Sequence, residues 1–165
     1  MNAQLRPSQL ALTLAWVLML SFFFAQVEIQ IEGAGGWAAN LPTWRIEHHW
    51  LLDIFWGGRA MTGYHAWAFP FMALIFHFPL VFHGHWSWRA ECRILACIMV
   101  FWTTEDFLWF VCNPAYGLAR FNPVGVAWHK HWIAFAPADY WFALVAAVGL
   151  LWLANRRPPV SPASP

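Results

Sequence analysis

The sequence predicts an all-α polytopic membrane protein: a four-helix transmembrane bundle with an outer-side cap of interfacial helix and loops. Three observations carry that expectation. Of 165 residues, 61% are hydrophobic and only 10% are charged, against about 25% charged in ordinary soluble domains. The apolar residues fall into four runs near residues 9–28, 63–83, 93–113 and 138–155, each close to the roughly 20 residues that a bilayer core requires. Fourteen Trp and fifteen Phe accompany them, and many Trp stand near run ends, where interfacial aromatic belts form.

The first run follows a single Arg and is crowded with bulky residues. It offers no small-x-small cleavage site, so it reads as a retained helix and not a signal peptide. The second contains Pro70 and Pro79, which membrane helices tolerate when neighbours satisfy the freed carbonyls. The third, "ACIMVFWTTEDFLWFVCNP", ends where Pro114 and Gly117 stop a helix. The fourth opens on Asp139 and aromatics and closes on Arg156 and Arg157. Residues 1–155 therefore read as a single transmembrane domain, and the Pro/Ser-rich residues 156–165 as a disordered tail.

Lys and Arg orient the bundle. With the N-terminus inside, the inner side holds Arg6, Arg89, Arg93, Arg156 and Arg157, and the outer side Arg45, Arg59, Arg120 and Lys130. The pair at the last helix end decides for both termini inside, in the inner (cytoplasmic) membrane of a prokaryote. Two long segments then share the outer side. In residues 29–62, "GAGG" forms a turn, and Trp44, Trp50, Leu51, Ile54 and Phe55 suit a short amphipathic interfacial helix between Pro42 and Trp56. Residues 114–137 hold aromatics, prolines and the triplet "HKH". Loops of such length are often functional.

Several functions are excluded or lack their signatures. The net charge of +1 supplies no field for nucleic acid. Cys92, Cys97 and Cys112 have no CxxC spacing and read as buried small residues, not a redox pair. Nucleophile elbow, HExxH helix, P-loop and desaturase His boxes are all missing. A b-type haem is disfavoured, because no other run supplies a buried His to face His77. His83 and His85 read as headgroup-level residues beside Arg89 and Arg93.

The remaining ionisable residues converge on one side. Glu28 and Glu32 end the first run; Glu47, His48, His49 and Asp53 lie in the first loop; His65 opens the second run. Glu105 and Asp106 sit inside the third, and His129 and His131 lie in the second loop. Histidine with carboxylate is the ligand chemistry of iron, zinc, copper and manganese. A bound cation would also stabilise two acids placed in an apolar slab; pairing with Arg45, Arg59, Arg120 or Lys130 is the competing compensation.

The candidate metal ligands are accordingly His65, His129, His131, Glu105, Asp106, His48, His49 and Glu28, with Glu105 and Glu47 as proton-handling catalytic residues. Glu105 and Asp106 point roughly 100° apart on a helix, so only one faces a given site, and the longer Glu105 is preferred. His129 and His131 share a side if their loop is extended. Glu28 and Glu32 share a face if the first helix continues past residue 28.

The function expected is a metal-dependent oxidoreductase acting on a lipid-soluble or membrane-delivered substrate, in preference to a hydrolase. The alternative is a non-catalytic accessory subunit that binds a pigment, quinone or lipid within a larger membrane complex or homo-oligomer. Membrane lipid is the expected surrounding partner in either case.

Overall fold

A computed structural model describes residues 5–156. Five α-helices lie among them: α1 (Pro7–Glu32), α2 (Trp50–Phe55), α3 (Gly63–His83), α4 (Trp88–Cys112) and α5 (Ala138–Asn155). All but α2 are long and apolar enough to cross a membrane. The expected runs at 63–83 and 138–155 coincide with α3 and α5. Helix α4 begins earlier than residue 93 because the Ser87 hydroxyl oxygen caps it, accepting from the Ala90 N–H at 3.2 Å. The tail 157–165, including Arg157, lies outside the described residues.

Helix α1 continues to Glu32 instead of stopping near residue 28, and ends at Gly33 with φ 60°. That extra turn adds Glu32 to a buried stripe of Val17, Ser21, Ala25 and Glu28. Ser21 and Ala25 are small, so the backbone of α1 approaches α4 closely. The Ser21 hydroxyl sits between the carbonyls of Val17 (2.9 Å) and Phe101 (3.1 Å), binding the two helices at mid-depth.

Helix α4 is the centre of the bundle, packing extensively on both α1 and α5 and more sparingly on α3. Its buried face runs Arg93, Cys97, Phe101, Glu105 and Trp109, a four-residue repeat that keeps one stripe inward. Glu105 is therefore buried because it shares a register with the core residues Phe101 and Trp109. The outward stripes of α3 (Trp67, Phe71, Leu74, Phe78) and α5 (Phe142, Val145, Val148, Trp152) are exposed and apolar. Apolar faces of that extent are rare on soluble monomers and fit lipid.

The two long loops are stitched by ladders of two residues per strand, too short for any alternation to be read in sequence. β1 (Arg45–Ile46) pairs antiparallel with β2 (Met61–Thr62), in register Arg45↔Thr62 and Ile46↔Met61. β3 (Trp132–Ile133) pairs with β4 (Ala136–Pro137), in register Trp132↔Pro137 and Ile133↔Ala136. β2 runs directly into α3 and β4 directly into α5, so each ladder anchors a loop to a helix start. The expected interfacial helix between residues 42 and 56 shrinks to α2 because its first part is used by β1.

At the opposite end the described chain ends meet. The Leu5 N–H donates to Asn155 Oδ1 at 3.1 Å, and Arg93 reaches Asn155 Oδ1 at 3.4 Å and the Ala154 carbonyl at 3.5 Å. His77 bridges α3 to α4 there, with Nδ1 2.7 Å from the Ala73 carbonyl and Nε2 3.0 Å from Glu91. Its partner is thus a carboxylate on the next helix. All three cysteines are free thiols, Cys92 and Cys97 buried.

Candidate metal centre

Three buried side chains from two helices bring ligand atoms together at the loop-covered end of the bundle. Glu28 and Glu32 of α1 and His65 of α3 each offer one ligand atom, all within 4.8 Å of one another. Ligands around a common cation with bonds of roughly 2 Å stand about 3–4 Å apart, so small rotations close the set. The four-residue step in α1 supplies both carboxylates on one face. Thr62, the N-cap of α3, sets His65.

Each ligand is fixed from behind. Tyr64 donates its hydroxyl proton to Glu28 Oε1 at 2.9 Å, and the Ala38 N–H donates to Glu32 Oε1 at 2.5 Å. The Thr62 hydroxyl oxygen lies 2.7 Å from His65 Nδ1. With Nδ1–H donating to that oxygen, Nε2 keeps its lone pair for a cation, the arrangement that outer partners impose on metal-binding histidines. The indole of Trp37 stacks on His65, with centroids 4.0 Å apart and planes inclined by 19°.

The turn read from "GAGG" does this positioning. Trp37 (φ 56°) and Ala38 (φ 53°) both occupy the left-handed region, which costs energy for residues carrying a Cβ. In return Trp37 lies over His65 and the Ala38 N–H points at Glu32, while Arg45 donates to the Ala38 carbonyl. Gly36 permits the close approach behind it: a Cβ there would lie 2.3 Å from the Trp128 ring.

Glu105 completes the acidic group from α4. It is 2% exposed and lies within hydrogen-bond reach of Glu28. Among the described residues no Arg or Lys forms an ion pair with Glu28, Glu32 or Glu105; the Arg–carboxylate pair is Arg59–Asp139, at 2.7 Å. Three facing carboxyls in an apolar surrounding require a cation or shared protons to offset their repulsion. Arg45, held on the Ala38 carbonyl, acts on Glu32 through space only and not as a hydrogen-bonded pair.

Asp106 serves a second, separate network. Turned away from Glu105 by one residue of helix, it accepts from His129 Nε2 at 2.9 Å and from the Tyr140 hydroxyl of α5. His129 Nδ1 lies 2.9 Å from Arg59 and 3.4 Å from Asp139. Burial alone would push the His129 imidazole down, but the Asp106 charge and hydrogen bond, with Asp139 behind, outweigh it and hold it above its ordinary value. Arg59 also sits over the Trp37 ring at 4.7 Å, linking this network to the turn beside His65.

Both networks line one cavity of about 740 Å³. Glu28, Glu32, His65, Glu105, Asp106 and His129 stand at its polar end; Phe69, Pro70, Ala73, Ile98, Met99, Trp102 and Ala143 continue it between α3, α4 and α5. Trp109 also lines it, and among the described residues its indole N–H is buried without a hydrogen-bond partner.

The expected ligands divide accordingly. Glu28 and His65 stand in the cluster, with Glu105 beside them and His129 and Asp106 on the same cavity wall. His48, His49, His131 and Glu47 are exposed and line no part of the cavity. The expected meeting of His131 with His65 fails: His129 is buried on the cavity wall while His131 is exposed, so the two do not share a side. His49 is turned outward as the N-cap of α2, its Nδ1 accepting from the Leu51 N–H at 3.2 Å. Glu47 and His48 precede that cap on the same exposed stretch.

Glu32, absent from the expected ligand set, belongs to the cluster, and its i,i+4 relation to Glu28 was the available signal. Nothing local in sequence marks Arg59, Asp139 or Tyr140, which reach the network from distant segments. No family model matches the chain, and no curated protein or solved structure matches it.

Proposed function

We propose that the protein is an integral multi-pass membrane metalloprotein that holds a first-row transition ion on Glu28, Glu32 and His65 and acts as an oxidoreductase on a lipid-soluble substrate. The observation that carries this reading is the buried Glu28/Glu32/His65 group, fixed from behind by Tyr64, Ala38 and Thr62, whose carboxylates make no close ion pair with Arg or Lys among the described residues. Mixed imidazole and carboxylate ligands suit iron, manganese or zinc, and the open cavity beside them leaves room for substrate, as catalytic sites require. Glu105, buried and adjacent, is the group placed to take or return a proton. Both termini lie on the cytoplasmic side of a prokaryotic inner membrane in this reading, with the metal near the outer face.

The test is metal content after purification in detergent from metal-replete medium. About one ion per chain is expected for the wild type, falling well below stoichiometry in His65→Ala and in Glu32→Gln while helix content is kept. Wild type without metal overturns the reading. The large cavity favours a second reading, an accessory subunit of a membrane complex that binds a pigment, quinone or lipid without metal, and the same measurement separates the two.

A further inference from the structure

The α4 wall of the cavity offers one open acceptor and one open donor. Both hydrogen bonds to Asp106 fall on its Oδ2. Its Oδ1 takes none among the described residues, and the side chain keeps 28% of its surface open where it lines the cavity. Thr103, three residues earlier on the same wall, brings a half-buried hydroxyl that likewise has no hydrogen-bond partner among the described residues. Neither oxygen is sealed off from the cavity. Side chains at that spacing are neighbours on a helix. An alcohol group complements the pair, accepting from Thr103 and donating to Asp106.

The surrounding charges call for a neutral head. Asp106 and Asp139 are already met by His129 and Arg59, and Glu28 and Glu32 stand at the same end, so a carboxylate or phosphate head is repelled. Further in, the lining is aliphatic. Ala73 on α3 lies eight residues from His65, and Ile98 on α4 eight from Asp106, a depth of about 12 Å at roughly 1.5 Å per residue. Ala66, Pro70, Met99 and Ala143 complete that half, and none of them offers a side-chain polar group to a second polar substituent. An extended carbon chain advances about 1.2 Å per bond, so roughly ten carbons span the depth. Helices α3 and α5 are not in extensive contact with each other, so the slot stands open to lipid and a chain enters from the side.

We infer that the cavity binds a linear primary alcohol of about ten carbons, drawn from the membrane between α3 and α5, with its hydroxyl between Thr103 Oγ1 and Asp106 Oδ1 and its chain end against Ala73 and Ile98. The inference rests on the proposed reading of the cavity as the chamber for a lipid-soluble substrate and names that substrate's class; it does not rest on the metal being bound.

The probe is decan-1-ol carrying a diazirine near its terminal carbon, photolysed with the whole protein in digitonin micelles, whose rigid tails do not imitate the chain, and mapped by mass spectrometry. Saturable label is expected on the segments around Ala73 and Ile98, displaced by plain decan-1-ol and about tenfold or more less well by decanoate. Thr103→Val keeps the shape and removes the donor, and should weaken labelling about tenfold, the cost of one hydrogen bond. Ala73→Phe fills the inner end. It should abolish labelling by the decanol probe and preserve labelling, now near Trp102, by a hexanol probe of the same design, a split that a folding defect does not produce. Label that never saturates or that falls on the outward residues Phe71 and Phe142, displacement by decanoate as good as by decan-1-ol, or unchanged labelling in the folded variants overturns the inference. Running the experiment on metal-loaded and chelator-treated protein keeps the two claims apart. Saturable labelling of protein that never holds metal leaves this inference standing and removes the metal reading; metal binding without saturable labelling does the reverse.

Discussion

Asp106→Asn isolates the contribution of the Asp106–His129 network. The wild-type carboxylate accepts from His129 Nε2 at 2.9 Å and from the Tyr140 hydroxyl. An Asn keeps the shape and one acceptor but removes the charge. Hydrogen bonds to charged groups contribute roughly 1.5–3 kcal/mol and neutral ones roughly 0.5–1.5, so two such bonds lose about 2–3 kcal/mol. The Asp106 side chain keeps 28% of its surface open, on the cavity side, which holds the loss to that range instead of the larger figures for sealed pairs. His129, 2% exposed in its side chain, is left with Asp139 at 3.4 Å as its remaining anion. At roughly 2–4 °C per kcal/mol for a chain of this size, the melting temperature in detergent should fall by roughly 4–12 °C.

The pH dependence supplies a sharper version of the same test. His129 titrates above its ordinary value in the folded protein. A raised folded value means stabilisation that is fully present below the unfolded value, about 6.5 for His, and lost as pH rises through the folded value. Wild-type melting temperature should therefore decline as pH climbs through that window, and Asp106→Asn should flatten the decline. Thermal melts of both proteins from pH 5.5 to 9 read it directly. A variant that melts like the wild type, or that keeps the same slope, refutes the assignment of His129 and Asp106 as a charged pair.

Other perturbations follow from the packing and the chain ends. Gly36→Ala places a Cβ 2.3 Å from the Trp128 ring and 3.1 Å from Trp109, and should destabilise by about 1–3 kcal/mol with a shift in tryptophan emission; wild-type melting would show that the turn yields. Asn40 is exposed at the loop-covered end. Cysteine placed at Asn40 and, separately, at Ser161 should label from opposite sides of the membrane with an impermeant reagent, and labelling from one side contradicts four spans with both termini inside.

Much of the architecture was legible because lipid leaves a plain record in sequence. An apolar run of about 20 residues has few alternative fates, so α3 and α5 coincide with their expected bounds. Helix α1 outran its expected end because Glu28 and Glu32 break the apolar run without breaking the helix; both are buried, Glu28 taking a hydrogen bond from Tyr64 and Glu32 one from the Ala38 N–H. The two-residue ladders at β1–β2 and β3–β4 left no pattern to read, since each offers a single alternation. For the site, spacing on a helix was informative: Glu28 with Glu32, and the divergence of Glu105 from Asp106, follow from 100° per residue. Spacing in a loop was not: His131 is exposed although His129 two residues before it is buried, and His49 is held outward by its cap on the Leu51 N–H. Those depend on neighbours that periodicity does not register. Arg59 and Asp139 met across 80 residues, a distance no local pattern spans.

That Glu28, Glu32 and His65 hold one ion together is tested most directly by X-ray absorption at the edge of whatever metal co-purifies with the wild-type protein. The expected spectrum has a first shell of oxygen and nitrogen near 2 Å and outer-shell scattering from a single imidazole, which disappears in His65→Ala protein reloaded with the same metal. A sulfur-containing shell, scattering from two or more imidazoles, or a spectrum unchanged by His65→Ala would place the ion elsewhere and contradict the assignment.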